Sequence, residues 1–276
     1  MKPGLGGLAD AAVDLFLPKR CVGCGRAGRW LCDPCAAGLK PLPAACCRRC
    51  GAPLAQQAAR PLDRPLTQTA AGCRECRGRD LAFASARAAY LYEGPARALV
   101  TACKFRSLHS LTAEMAARAG APFVQAVAAL GGPAGVGLVT CVPVHRDRDL
   151  ERGFDQAALL ARRLASAAGL PFVPLLVRTQ RGRRQSGLGA AARAENVRDA
   201  FTLDGRTADK AGRVSTVLVV DDVYTTGETL HACSTVLRHA GCEPHAFTFA
   251  RAARAFSSQG APRTASDRRL TKEPPS

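Results

Sequence analysis

Aromatic residues are scarce. Trp, Tyr and Phe together make 5% of the 276 residues, with 1 Trp and 3 Tyr. That scarcity excludes an extended base-stacking platform, so any contact with a nucleic acid must be led by its backbone and be sensitive to salt. Long apolar runs are also lacking. The weak stretch over residues 5–17 is interrupted by Asp10 and Asp14, and nothing approaches the roughly 20 apolar residues of a membrane-spanning helix. No secretory signal is read here, and the expectation is a soluble, cytoplasmic protein. Acidic residues are the third shortage, 22 against 39 Lys and Arg, which leaves a formal charge of +17. An anionic partner is thereby implied, a nucleic acid or a phosphorylated metabolite. Codon bias toward Arg and Ala would produce a similar composition.

Cysteine, by contrast, is plentiful. Of 13 cysteines, eight fall into four CxxC pairs: Cys21 and Cys24, Cys32 and Cys35, Cys47 and Cys50, Cys73 and Cys76. In a chain read as not exported, that pattern favours metal over disulfides. Thiolates two residues apart on a tight knuckle chelate one side of a tetrahedral zinc, and a second knuckle closes it. Eight such ligands make one or two structural zinc sites. Sequential pairing is the default, and crossed pairing stays open. Gly25 and Gly51 each follow a pair directly and suit the knuckle turn. A site of four thiolates leaves no open coordination position, so its role is structural rather than catalytic. Cys46 reads as a spare neighbour, and Cys103, Cys141, Cys233 and Cys242 as small core residues in apolar surroundings. Residues 7–17 suit a short amphipathic lead-in, and residues 52–71, without cysteine and with several prolines, a variable loop.

From Leu81 onward the pattern changes to alternating strands and helices. Strands are expected at 87–92, 138–144, 172–177, 217–220 and 245–250, and helices from Gly94 to about 106, over 157–168 and over 229–240. Gly169 followed by Pro171 supplies one helix stop, and Gly241 another. This order predicts an α/β fold with a parallel sheet and right-handed crossovers, in which ligands gather beyond the carboxyl ends of the strands. The tail from 252 to 276 is polar and aperiodic, and is expected to be disordered.

The most informative segment is VLVVDDVYTTGET, residues 217–229. Four β-formers deliver Asp221 and Asp222 to a strand end, and a hydroxyl-rich turn with Gly227 leads into a helix. Backbone N–H groups at a helix N-terminus bind a phosphate dianion, and Thr225, Thr226 and Thr229 add hydroxyl donors. The two carboxylates stand about one ribose length away, placed for sugar hydroxyls or Mg²⁺-bound water. Glu228 would oppose a phosphate unless its side chain turns outward.

This segment resembles the binding motif for phosphoribosyl pyrophosphate (PRPP) of type I phosphoribosyltransferases, which implies that the acidic pair holds the ribose 2′ and 3′ hydroxyls and the loop the 5′-phosphate. Arg148 to Gln156 resembles the RxxRGFNQ signature of the ComF/GntX family, with Asp155 in place of Asn. Tyr90 to Gly94 and Lys104 to Arg106 resemble that family's YEG and KYRG elements, and Gln185 with 193–196 its Q…RxxN pattern. The resemblance spans residues 15–251. It implies a double zinc ribbon-like module at 15–79 and a type I phosphoribosyltransferase-like domain at 81–251. It further implies a pyrophosphate loop with Val144, His145, Arg146, Arg148 and Arg152, and a flexible cationic loop over 178–194 that includes Arg184. Lys104 is a candidate phosphate contact, although a helix-end Lys satisfies the dipole equally well. Mg²⁺ with PRPP would be the ligand. No nucleobase pocket or amidotransferase domain is evident, so the acceptor is unidentified and turnover open. The family also implies a role in DNA uptake and transformation, with single-stranded DNA, a competence helicase and other transformation proteins as partners. A non-catalytic DNA-binding accessory protein is the alternative.

Replacing Cys21 and Cys24 together by Ser is predicted to release zinc and unfold the first part of the Cys-rich module. Metal analysis and thermal melting check this. A variant with unchanged zinc and melting that loses only ribose-phosphate binding would contradict the structural role.

Overall fold

The computed structural model describes residues 19–54, 73–106, 109–143, 155–179 and 200–252. The expected lead-in at 7–17, most of the loop at 52–71, the cationic segment 180–194 and the tail beyond 252 lie outside the described residues.

The buried run from Val217 to Val220 is the start of a longer strand, β5 (Thr216–Tyr224), which lies in a four-stranded sheet. Its neighbours are β6 (Glu243–Arg251) on one side and β2 (Leu138–Cys141) on the other, with β1 (Ser85–Leu91) beyond β6. All three pairings are parallel. Side chains on a strand alternate between faces. Accordingly Leu218, Val220, Phe247 and Phe249 join one apolar core, while Val217, Val219 and Ala246 join another.

Helices cover both faces. The first core is closed by α2 (Gly94–Arg106), α3 (His109–Ala128) and α4 (Gln156–Ala167), and the second by α6 (Glu228–His239). The helix α4 buries Ala157, Leu160, Ala161, Leu164 and Ala165 at the expected spacing, and Gly169 follows it with φ 68°. The 20-residue α3 was not among the expected elements. It contains Pro122, which cannot donate to the carbonyl of Arg118 one turn back. That carbonyl accepts from the Tyr90 hydroxyl at 2.7 Å instead, so the break in the ladder is mended from β1.

One expected strand is redirected. Phe172 bridges Val139 in parallel, and Val173 N–H donates to the Val139 carbonyl at 2.9 Å, but the pairing stops there. The next N–H turned toward β2, that of Leu175, donates to the Thr140 side-chain hydroxyl at 3.1 Å rather than to a strand carbonyl. The chain leaves to form β3 (Leu176–Arg178), which pairs antiparallel with β4 (Phe201–Leu203) in a separate two-stranded sheet. A short helix, α5 (Ala208–Ala211), leads back into β5.

The Cys-rich module wraps the outer edge of β1. Leu91 N–H donates to the Lys40 carbonyl at 2.9 Å, Leu42 N–H to the Ala89 carbonyl at 3.0 Å, and Ala86 N–H to the Arg49 carbonyl at 2.9 Å. These bonds cover groups that would otherwise form an exposed strand edge. A single short helix, α1 (Asp33–Ala37), lies among the described residues of the module.

Gly25 and Gly51 do occupy knuckle turns, with φ 77° and 70°, but their surroundings differ. Nothing lies within 4 Å of a side chain built at Gly25, whereas at Gly51 it would stand 2.7 Å from the Ala86 carbonyl oxygen on β1. Gly25→Ala should therefore cost about 1 kcal/mol of backbone strain, and Gly51→Ala at least about twice that, because the docked strand must move as well. Urea denaturation of the zinc-loaded variants checks the order. Equal losses would mean that the second knuckle does not seat on β1.

Candidate functional site

The carboxyl end of β5 carries the acidic pair within the strand rather than beyond it. Pairing continues through Asp221↔Thr248 to Tyr224↔Arg251. Asp221 is half-buried and Asp222 buried at 9% exposure. The Asp222 N–H donates to Asp221 Oδ1 at 2.8 Å. Asp222 is held from two helices: Lys104 Nζ near the end of α2 donates to its Oδ1 at 3.0 Å, and Gln156 Nε2 at the start of α4 to its Oδ2 at 3.1 Å. Lys104 thus pairs with the acidic residue. Gln156 is buried, and its Oε1 has no hydrogen-bond partner among the described residues. Asp155, where the family signature has Asn, caps α4 by accepting from Ala158 N–H at 2.9 Å, a task either residue performs.

Two negative charges side by side in a half-buried place cannot both persist cheaply. Burial, followed by the neighbouring charge of Asp222, pushes the Asp221 carboxyl up to about 8. Asp222 instead faces a cation and an amide donor.

The loop that follows is open where a ligand would touch it and closed beneath. Thr225 and Thr226 are exposed, Gly227 is buried and Thr229 half-buried. Gly227 is the N-cap of α6 with φ 82°, and a Cβ there would come 2.5 Å from the Tyr224 hydroxyl. Only glycine fits that position, both by conformation and by space. Glu228 is turned away: its Oε1 accepts from Arg79 Nη2 at 2.6 Å, and the same guanidinium nitrogen donates to the Thr226 carbonyl at 2.8 Å.

The eight paired cysteines gather as two sequential clusters, Cys21, Cys24, Cys32 and Cys35, then Cys47, Cys50, Cys73 and Cys76. Within each, all sulfurs lie within 4.8 Å of one another, with contacts such as Cys47 to Cys76 at 3.8 Å and Cys50 to Cys73 at 3.5 Å. A tetrahedron of Zn–S bonds of ~2.3 Å has edges of ~3.8 Å, so both clusters fit structural zinc. In the second, the hydrogen bond from Cys50 draws the Cys47 thiol down to about 4 and raises that of Cys50 in turn, so the two sulfurs share a proton. Cys46 belongs to neither cluster. The other four cysteines are buried, as expected.

The expected pyrophosphate residues Val144, His145, Arg146, Arg148 and Arg152, and Arg184 of the cationic loop, lie outside the described residues. Three contributors were not singled out in the sequence: Gln156, Arg79 and Arg251. Gln156 at least ends the family signature. The two arginines are joined to the loop by contacts spanning 147 residues or more, for Arg79, and by strand register, for Arg251.

Comparison with known proteins bears on this arrangement. Residues 12–77 match the double zinc ribbon domain. Competence protein F of Haemophilus influenzae is 37% identical over 103 residues, covering 37% of this chain and 44% of that protein. Competence protein ComFC of Bacillus subtilis is 26% identical over 217 residues, covering 76% of this chain and 79% of that protein. The chain thus spans less than half of the first relative and about four-fifths of the second. The chain thus joins two zinc-ribbon clusters to a parallel sheet and is similar to two competence proteins, F and ComFC.

Proposed function

We propose that this chain is a ComF-family protein, binds a 5-phosphorylated ribose, PRPP with Mg²⁺ or a related compound, at the carboxyl end of β5, and acts in DNA uptake during natural transformation. One observation carries the ligand: the acidic pair is held in the strand while the Thr225–Thr226–Gly227 turn opens onto the N-terminus of a 12-residue helix. A phosphate there would meet backbone N–H groups, the helix dipole and the hydroxyls of Thr225, Thr226 and Thr229. Asp221 and Asp222 would accept from ribose hydroxyls. The Glu228 charge, which would repel a phosphate, is paired with Arg79.

Because β2 pairs beside β5 in parallel, Val142 and Pro143 lie at this same end of the sheet. That suits Val144, His145, Arg146, Arg148 and Arg152 to the pyrophosphate, with Arg184 from the later cationic segment. Bound Mg²⁺ would neutralise phosphate oxygens. Displacement of pyrophosphate from an anomeric carbon builds positive charge on the sugar, so the chain's task is to orient the ribose and exclude water.

The names of the two relatives support the role in competence, and the charge of +17 supports contact with nucleic acid. That charge also favours the second reading, a single-stranded DNA-binding accessory protein without turnover.

Calorimetry with PRPP and Mg²⁺, repeated with single-stranded DNA present, separates the readings. Saturable PRPP binding that DNA competes away is expected. Salt-dependent DNA binding with no PRPP binding would leave the fold as a nucleic-acid scaffold. The double substitution Asp221→Ala with Asp222→Ala should abolish PRPP binding and leave zinc content unchanged. Wild-type affinity in that variant would remove the site assignment.

The Asp221 carboxyl predicts a pH dependence of opposite sign to that of a salt-bridged acid. The fold holds a proton on Asp221 up to about pH 8, whereas the unfolded chain releases it near 3.8. Between these values the unfolded state binds fewer protons, so this residue's contribution to stability falls as pH rises, by at most about 1.4 kcal/mol per pH unit. Asp221→Asn should lack that fall and gain on wild type from pH 5 to pH 8 in urea denaturation. A constant difference across that range would contradict the raised carboxyl.

A further inference from the structure

We infer that the second cysteine cluster is the positioning device for the phosphate loop: it holds the 225–229 turn from beneath through Arg251 and from the side through Arg79. The inference rests on the ribose-phosphate reading for its functional consequence, but the mechanical coupling stands on contacts of its own.

Arg79 follows Cys76 by three residues, and its backbone is fixed by the knuckle. Arg77 N–H donates to the Cys73 carbonyl at 2.8 Å and Arg79 N–H to the Cys76 carbonyl at 3.2 Å. From that turn the guanidinium crosses to the loop, binding the Thr226 carbonyl and Glu228 Oε1. Both groups are negative where a phosphate would arrive, and one cation turns both away. Half-buried, the pair is less screened than a surface one.

Arg251 reaches the cluster from the sheet. It ends β6 directly opposite Tyr224, and its side chain is 2% exposed. Its Nη2 donates to Oε2 of Glu75, the residue between Cys73 and Cys76, at 2.7 Å and lies 3.8 Å from Cys50 Sγ. The guanidinium carbon stands 3.9 Å from the centre of the Tyr224 ring. Tyr224 in turn is the surface on which Gly227 rests. A continuous path therefore runs from Cys50 and Glu75 through Arg251 and Tyr224 to Gly227. Burying a guanidinium, which keeps its charge in proteins, requires this kind of compensation. The first cluster has a different place: Cys21 and Cys32 join the core of the opposite face, and Gly38 near its end lies against Pro95 of α2.

A metal at the second cluster fits this role because it fixes the 73–76 knuckle that presents both Glu75 and Arg79. Two substitutions test the coupling without removing a thiolate. Arg79→Ala frees Glu228 and the Thr226 carbonyl. Arg251→Lys keeps a cation for Glu75 but loses the planar group over the ring.

Hydrogen–deuterium exchange of the peptide 224–231 is the first readout, at zinc content matched to wild type. Each variant should exchange about tenfold faster there, the scale of losing one buried charged contact, with peptides of α3 unchanged. Calorimetry with PRPP and Mg²⁺ is the second: Arg79→Ala should weaken binding about tenfold, and Arg79→Ala with Glu228→Ala should recover most of it, since the repelling charge is then gone. Exchange at 224–231 unchanged in both variants would overturn the inference. So would a double variant as weak as Arg79→Ala. If wild type binds no PRPP while exchange responds as expected, the ribose-phosphate reading fails and the coupling stands.

Discussion

The parallel pairing of β5 with β6 is the constraint on which the site depends. It resumes beyond the acidic residues and reaches Tyr224↔Arg251, so the carboxylates belong to a strand rather than to a mobile turn. A ladder fixes both position and burial. Asp222 is thereby placed between Lys104 and Gln156 from helices on one face, and Arg251 is brought over Tyr224. Were the strand to stop at Val220, as its apolar run alone suggests, neither meeting would be specified.

The electrostatics of this end follow from how its few acidic groups are placed. Three of the buried or half-buried carboxylates are ion-paired: Asp222 with Lys104, Glu75 with Arg251, Glu228 with Arg79. Asp221, which forms no ion pair of its own among the described residues, meets the difficulty by holding its proton. These three cations are thus committed locally. Phosphate recognition in the proposed site consequently rests on loop amides and threonine hydroxyls, groups whose aim is set by backbone geometry rather than by long flexible side chains.

Much of this was legible in the sequence because it is local. The four CxxC pairs, the VLVVDD strand, the turn at Gly227 and the glycine after α4 each state their structure within a few residues. The rest is set by long-range pairing. The helix α3 repeats Leu111, Met115, Ala119, Phe123 and Val127 at four-residue spacing, all buried, but Pro122 disguises it, and only Tyr90 explains how the freed carbonyl is tolerated. The strand expected at 172–177 leaves the sheet after Val173, where the Leu175 N–H takes the Thr140 hydroxyl and residues 176–178 pair with β4 instead. In the sequence Glu228 reads as misplaced beside a phosphate because its partner, Arg79, is 149 residues away.

The Cys-rich module and the sheet are also mutually dependent in packing. A module of this size buries too little apolar surface to stand on its own contacts, and zinc ordinarily supplies the balance. Here it draws on the sheet as well. The first cluster packs with Leu31 and Leu39 into the core under α2 and α3, and the second with Phe83 and Leu81 into the core under α6. Residues 40–42 and Arg49 meanwhile satisfy the outer edge of β1. A strand edge left bare invites association with other chains, so the sheet gains a cover and the module gains a core from the same contacts. With its two clusters on opposite faces, the module clasps β1 from both sides, and among the described residues the second face continues to the 225–229 turn.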